Sequence, residues 1–411
     1  MKIVTVVGAR PNFMKVAPLI AAIRKHNDKA RQINAGLTSE AVVPTVDHIL
    51  VHTGQHHDPV MSDSFFADLN LPAPDIHLGV SAASAVNQTA EILQKFEPVL
   101  MRERPDVVVV VGDVTSTVAC AIVTAKVSFD SNGARPLLAH VEAGLRSFDR
   151  SMPEEINRIV TDHLCDIFFV TEESGLRNLQ NEGRPLHAAH FVGNTMIDSL
   201  LAFQDKAEGS GILERLGLRT PSAGTGNAPY ALLTLHRPAN VDNRESFTTI
   251  LAGLEKLAKD WPIVFPVHPR TQRRIKEFGL DVDLSTNASR AGIILIDPLG
   301  YLDFVCLMKH ATLVITDSGG IQEETTCLGV PCVTVRNNTE RPVTVDYGTN
   351  ILAGTTQEGI EAAIAQQMHK RGPSNAPKNW DGQAARRIVE ILTTQYAGTM
   401  SREMVAEQLC R

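Results

Sequence analysis

Short runs of β-branched and other apolar residues recur along the first half of the chain, each separated from the next by a span that accommodates one helix. Ile3–Val7, His48–Thr53, Asp106–Val111, Leu137–Val141, Asp166–Thr171 and His190–Val192 are such runs. They are largely apolar on both faces rather than alternating, the pattern of strands in a parallel sheet covered on each side by helices. Helical spacing fills the gaps: Val16, Leu19, Ile20 and Ile23 follow the first run, and Ile92, Leu93, Phe96, Val99 and Leu100 precede the third. Residues three and four apart share one helix face, so these positions predict amphipathic helices packed on the sheet.

The rhythm pauses after Asn194 in a helix-like Thr195–Phe203, then in a Gly-, Ser- and Pro-containing stretch from Gly209 to Pro229. It restarts with Tyr230–Leu235, Ile263–Val267, Gly292–Ile296, Thr312–Thr316 and Pro331–Val335. The expectation is an α/β fold of two Rossmann-like, doubly wound parallel-sheet domains, residues 1–195 and 196–380. Trp380–Thr393 and Ser401–Leu409 read as amphipathic helices in a terminal segment, 381–411, expected to pack back on the first domain. Two such sheets in tandem are expected to bring the carboxyl ends of their strands around a shared cleft, which directs attention to residues just after strands.

Length points the same way, because 411 residues exceed the ~250 at which single cores stop growing. A formal charge of −7 disfavours a nucleic-acid or anionic-membrane partner, both of which require concentrated positive charge. The first apolar run breaks at Gly8–Pro11, too early for a secretory segment, and no run reaches the ~18–20 residues of a membrane span. A cytoplasmic protein is expected. Six scattered cysteines contain no C-x-x-C pair, so buried free thiols are expected rather than zinc or disulfides. His52, His56, His57 and Asp58 match no zinc-ligand spacing, and no metal is expected there.

The strand ends carry the chemistry. After the first strand, Gly8-Ala-Arg-Pro-Asn is not G-x-G-x-x-G, which disfavours a dinucleotide cofactor. It places Arg10 and Lys15 near a helix amino terminus, as anion-binding cations or as solvated surface charges. Asp113 follows the five valines of the third strand and Gly112, as helix cap or as catalytic acid, and Glu142 stands at the end of the next strand. Ser151 and Glu154 have capping-box spacing, whereas Glu154 and Arg158, four apart, share a helix face that can point into a cleft. Several carboxylates around one cleft can be split into an acid and a base. In the second half His236 ends a strand beside Arg237, placed to contact phosphate or move a proton, or to serve a structural role. Asp317-Ser318-Gly319-Gly320 turns from a buried strand into a helix, a cradle for a phosphate group, with Glu324 one turn on. Arg341 adds a cation to that cleft or pairs with Glu340 at the surface.

Taken in order, Gly8-Ala-Arg-Pro-Asn, Thr53-Gly-Gln-His, Gly112-Asp, His140-Val-Glu-Ala-Gly-Leu-Arg, Pro153-Glu-Glu-Ile-Asn-Arg, Val192-Gly-Asn-Thr, His236-Arg-Pro, Asp317-Ser-Gly-Gly-Ile-Gln-Glu-Glu and Thr339-Glu-Arg-Pro span nearly the whole chain. The set resembles the non-hydrolysing UDP-N-acetylglucosamine 2-epimerases of the GT-B superfamily. That resemblance implies reversible conversion of UDP-GlcNAc to UDP-ManNAc by elimination of UDP to a glycal and re-addition, with no cofactor or metal and usually as a homodimer. It implies a diphosphate at Ser318, Gly319 and Gly320, ribose near Glu324, and uracil near Leu299 and Phe304. Arg10, Lys15, His236 and Arg341 would surround diphosphate and sugar, and Asp113, Glu142, Glu154 and Arg158 match the catalytic and sugar-contacting group. Gln55-His-His-Asp and His236-Arg-Pro-Ala depart from the segments linked in some branches to activation by a second substrate molecule, and Leu299 stands where some relatives have glutamine. A glycosyltransferase on the same fold, or an epimerase of a UDP-diacetamido uronic acid, is the alternative.

Overall fold

The computed structural model describes residues 1–35, 43–55, 69, 71–219, 228–267, 269–280, 291–368 and 376–396, with the side chains of Arg10, Pro11 and Pro269 outside that set. The chain divides into two compact units, Met1–Ser199 with Lys378–Arg411, and Leu200–Pro377.

In the first unit the strands are β1 (Lys2–Val7), β2 (Asp47–His52), β3 (Ile76–His77), β4 (Val107–Val111), β5 (Leu137–Ala143), β6 (Ile167–Val170) and β7 (Ala189–Phe191). They form one sheet in the order β3-β2-β1-β4-β5-β6-β7, every pairing parallel. All five valines of β4 are buried because the strand is central and helices cover both faces. Ile92, Phe96, Val99 and Leu100 point inward from the helix Ala85–Glu103, the face its spacing predicts, and join Val108, Val110 and Phe168 in the core. Ser84 opens that helix by accepting from the Asn87 amide at 3.2 Å.

The second unit repeats the topology with β8 (Ala231–Thr234), β9 (Pro262–Pro266), β10 (Gly292–Ile296), β11 (Leu313–Thr316), β12 (Cys332–Thr334) and β13 (Asn350–Leu352) in the order β10-β9-β8-β11-β12-β13, again parallel. Phe247, Ile250 and Leu254 of the helix Arg244–Asp260 pack on Leu233, Phe265 and Ile315 from the sheet. Each sheet thus gains a strand that the hydrophobic pattern does not predict. Ile76–His77 and Asn350–Leu352 are two and three residues long, too short to show a period, and only the pairing to a neighbouring strand defines them.

Beyond Lys378 the chain returns to the first unit. The helix Ala384–Gln395 packs against the helix Arg10–Ala35, and buried Trp380 donates its indole N–H to the Thr171 carbonyl at 3.0 Å. Asp198 accepts from the amides of Ala384 and Ala385 at 3.1 and 2.7 Å, which satisfies two of that helix's free N–H groups. Burial pushes the Asp198 carboxyl up to about 6 against those two hydrogen bonds. The expected helix Ser401–Leu409 lies outside the described residues.

Candidate active site

In an open parallel sheet, ligands bind beyond the carboxyl ends of the strands where the strand order reverses. That point lies between β1 and β4 in the first unit, and between β8 and β11 in the second. The candidate residues fall into two groups, one at each switch point.

At the first, Lys15 and Glu142 form a buried ion pair, each side chain only 6% exposed. Glu142 is the residue by which β5 slips against β6: Val141 pairs with Phe169 and Ala143 with Val170, which leaves Glu142 as a bulge. Its φ of +79° is left-handed, a conformation that costs a side-chain-bearing residue of order 1–3 kcal/mol. Without the bulge, alternation along β5 would change the face on which Glu142 lies. Opposite it, Gly112 has φ +67°, and a Cβ there would stand 3.2 Å from Lys15 Nζ and 3.4 Å from Glu142 Oε2. The glycine is required both for the turn after β4 and for room beside the pair.

Asp113 follows Gly112 and pairs with Arg158, while its carbonyl accepts from Asn157 Nδ2 at 2.8 Å. Asp113 is not a helix cap: the N-cap of the helix Thr115–Lys126 is Val114, with no side-chain cap bond. Arg158 is buried and also donates to Glu155 Oε2, from Nη2 at 2.7 Å and from Nε at 3.0 Å. The capping box expected of Ser151 and Glu154 does not form. Met152 is the N-cap of the helix Pro153–Leu164, and Ser151 Oγ donates instead to Asp149 Oδ1 at 2.6 Å. Glu154 is exposed, and it is the neighbouring Glu155 that shares the buried side of the helix with Arg158. Glu155 accepts from the amides of Ser147 and Phe148 at 3.0 and 2.9 Å. Burial pushes its carboxyl up, but these amides and Arg158 outweigh burial and hold it below the usual carboxylate range. The loop so anchored carries Phe148, exposed and with φ +60°. Sequence reasoning missed Glu155. Its signal was available in the (i, i+3) spacing to Arg158, as good a helix pair as the (i, i+4) spacing of Glu154.

At the second switch point His236 and Asp317 meet across the β8–β11 boundary, Nδ1 to Oδ1 at 2.8 Å. Asp317 is buried and also accepts from the Arg237 amide and from Asn240 Nδ2, each at 3.0 Å. Burial pushes its carboxyl up, yet His236 and these donors hold it below the usual range. The His236 ring itself remains largely exposed. Ser318 is the N-cap of the helix Gly319–Leu328 but its hydroxyl makes no cap bond, and the first-turn amides of Gly319 and Gly320 lack an intrahelical acceptor. A Cβ at Gly319 would come within 2.5 Å of Glu340 Oε1, so the glycine admits this side chain close to the turn.

Arg341 is buried and pairs with Glu323 at 2.5 Å, and Glu340 binds Arg336 at 2.7 Å. Glu324 is buried, and burial, with Glu323 beside it, pushes its carboxyl up to about 8; the Tyr301 hydroxyl donates to it at 3.4 Å. Leu299 and Phe304 are half-buried, on the loop after β10 and on the helix Tyr301–His310. His52 stacks on Phe13 at 5.5 Å, whereas His56, His57 and Asp58 lie outside the described residues.

A family model described as UDP-N-acetylglucosamine 2-epimerase matches residues 41–393. The chain belongs to the UDP-N-acetylglucosamine 2-epimerase family. It is 40% identical over 400 residues to the UDP-N-acetylglucosamine 2-epimerase of Methanocaldococcus jannaschii, covering 96% of this chain and 99% of that one. The crystal structure of that enzyme with UDP-GlcNAc and UDP superposes with a TM-score of 0.81 at 39% identity, over the same shares of the two chains. A Pseudomonas aeruginosa UDP-2,3-diacetamido-2,3-dideoxy-D-glucuronate 2-epimerase is 36% identical across 95% of this chain and 99% of its own. The two parallel-sheet α/β units have the fold that the resemblance implied. Among the described residues no helix is long and apolar enough to cross a membrane.

Proposed function

We infer that this protein is an isomerase that interconverts UDP-GlcNAc and UDP-ManNAc at C2, and the observation that carries the inference is its end-to-end likeness to epimerases of that nucleotide sugar. C2 of a 2-acetamido sugar has no adjacent carbonyl, so simple deprotonation finds no enolate to stabilise the carbanion. Elimination avoids the difficulty. A carboxylate takes the C2 proton while the C1–O bond to UDP breaks, leaving a glycal and UDP, and the proton returns to the opposite face of C2 as UDP re-adds to C1.

In this reading the first unit supplies the sugar chemistry and the second holds the nucleotide. Glu142 and Asp113, each beside a cation, are the leading acids for C2, with Glu154 the exposed third. Such acid–base assistance typically contributes 10²–10⁴-fold. The uncapped amides at Gly319 and Gly320, the Ser318 hydroxyl and His236 suit a departing diphosphate, because they are pre-aligned donors that strengthen as negative charge develops. Arg10, Lys15 and Arg341 add positive charge, Glu324 faces ribose, and Leu299 and Phe304 flank uracil. A cytoplasmic homodimer without cofactor or metal belongs to the same reading. The Pseudomonas relative motivates a second one, in which the sugar is a diacetamido uronic acid whose additional carboxylate requires a cation beside it.

Purified protein incubated with UDP-GlcNAc in deuterated water and followed by NMR is expected to give UDP-ManNAc with deuterium at C2 and only traces of free UDP. In the same assay Asp113→Asn and Glu142→Gln should abolish exchange while UDP binding stays nearly intact. Stoichiometric UDP with free sugar would point to hydrolysis, turnover only with an added acceptor to glycosyl transfer, and exchange only with the uronic acid nucleotide to the second reading.

A further inference from the structure

A fully buried group behind the first switch point is used by none of the roles above. Asp162, on the helix Pro153–Leu164, accepts from His140 Nδ1 at 2.7 Å, from the Gly144 amide at 3.0 Å and from Arg146 Nη1 at 2.7 Å. Arg146 is held in turn by Glu182, with contacts of 2.8 and 2.6 Å. His140, equally buried, places Nε2 2.8 Å from the Gly112 carbonyl, which can only accept, so the ring donates there. His140 and Gly144 flank Glu142 by two residues on either side, and Gly112 immediately precedes Asp113. One carboxylate therefore ties down both ends of the Glu142 bulge and, through His140, the peptide that carries the other leading acid.

We propose that Asp162 is a positioning residue: it fixes the backbone on both flanks of Glu142 and, by way of His140, the peptide before Asp113, so that the two acids meet the substrate in one geometry. The left-handed φ of Glu142 gives such a clamp something to do, because a strained residue keeps its conformation only where the surroundings over-determine it. Burial pushes the Asp162 carboxyl up, but His140 and Arg146 outweigh it and hold the group below the usual range. Asp162 does not touch substrate, being completely enclosed. Its effect falls on the proton-transfer step, where a misplacement of 1 Å is worth about 10²-fold in rate. The proposal rests on the epimerase reading.

The test compares C2 exchange per folded molecule in the wild type and in Asp162→Asn, which keeps the size of the side chain but puts an NH₂ donor against groups that are themselves donors. The expected result is a kcat lowered about 10²-fold, with KM for UDP-GlcNAc and the affinity for UDP both within about twofold of wild type. His140→Phe, which leaves the Asp162–Gly144 and Asp162–Arg146 contacts in place, should lower kcat in the same sense, and His140→Gln should recover part of the loss. A kcat of Asp162→Asn within twofold of wild type would overturn the proposal, as would a loss that follows KM or the folded fraction alone. If Asp162→Asn does not fold, the two His140 variants decide by the same criteria. Wild-type protein without C2 exchange would overturn the epimerase reading and this proposal together, whereas active wild type with unchanged variants overturns the clamp alone.

Discussion

Glu324 shows how a single buried carboxyl makes stability depend on pH. Its carboxyl stands at about 8 in the folded protein against an ordinary 4.5, chiefly through burial. The native state therefore holds the proton more tightly than the unfolded chain, and the contribution to stability is complete below about pH 4.5 and is lost as pH rises towards 8. Glu324→Gln, which mimics the protonated form, should flatten this slope. At pH 8 it should raise the melting temperature of the free protein by about 2–4 °C for each kcal/mol recovered, and parallel melting curves for both proteins at every pH from 5 to 8 would contradict the account. The types of residue at the site were legible because acids and cations stand at strand ends, where burial is expensive without a partner. Their partners were not. Glu155 rather than Glu154 sits under Arg158, because a choice between adjacent residues depends on the rotation of a helix that neither spacing nor residue type specifies, and the buried pair of Arg341 with Glu323 joins residues too far apart in the chain for local spacing to show.

At the scale of elements, the segment after Lys378 closes the first unit, and Trp380 is its anchor. The ring is 3% exposed, and its N–H reaches the Thr171 carbonyl just beyond β6. Behind it, Asn379 Nδ2 donates to the Phe191 carbonyl at 3.1 Å at the end of β7. Truncation of a buried aromatic of this size typically costs 3–5 kcal/mol. Trp380→Ala is therefore expected to lower the unfolding free energy of the first unit by that amount, read as a shift of its urea transition to lower concentration, and to leave the second unit's transition in place; a single unchanged transition would show that the return segment contributes little. Element type was readable wherever the hydrophobic period ran for several turns or a strand was buried on both faces. The bulge at Glu142 was not, since nothing in His140-Val-Glu-Ala-Gly marks which residue is left unpaired, and the register is set by β6 alongside.

For the whole molecule, the connectivity makes the two units unequal. Leu200–Pro377 is one continuous stretch with its own six-stranded sheet and core, whereas the first unit is completed only by residues from the far end of the chain. A continuous unit with a closed core can fold without the rest, because no element of its sheet is supplied from outside. The fragment 200–377 is accordingly expected to fold cooperatively. If the uncapped turn at Ser318–Gly320 and the ring of His236 hold the diphosphate, it should also bind UDP, with about 2.7 kcal/mol of added stability at a hundredfold excess over its dissociation constant. It should catalyse no C2 exchange, because Asp113 and Glu142 belong to the other unit. A fragment that folds but gains no stability from UDP would remove the nucleotide from the second unit and, with it, the assignment of the diphosphate to the helix Gly319–Leu328.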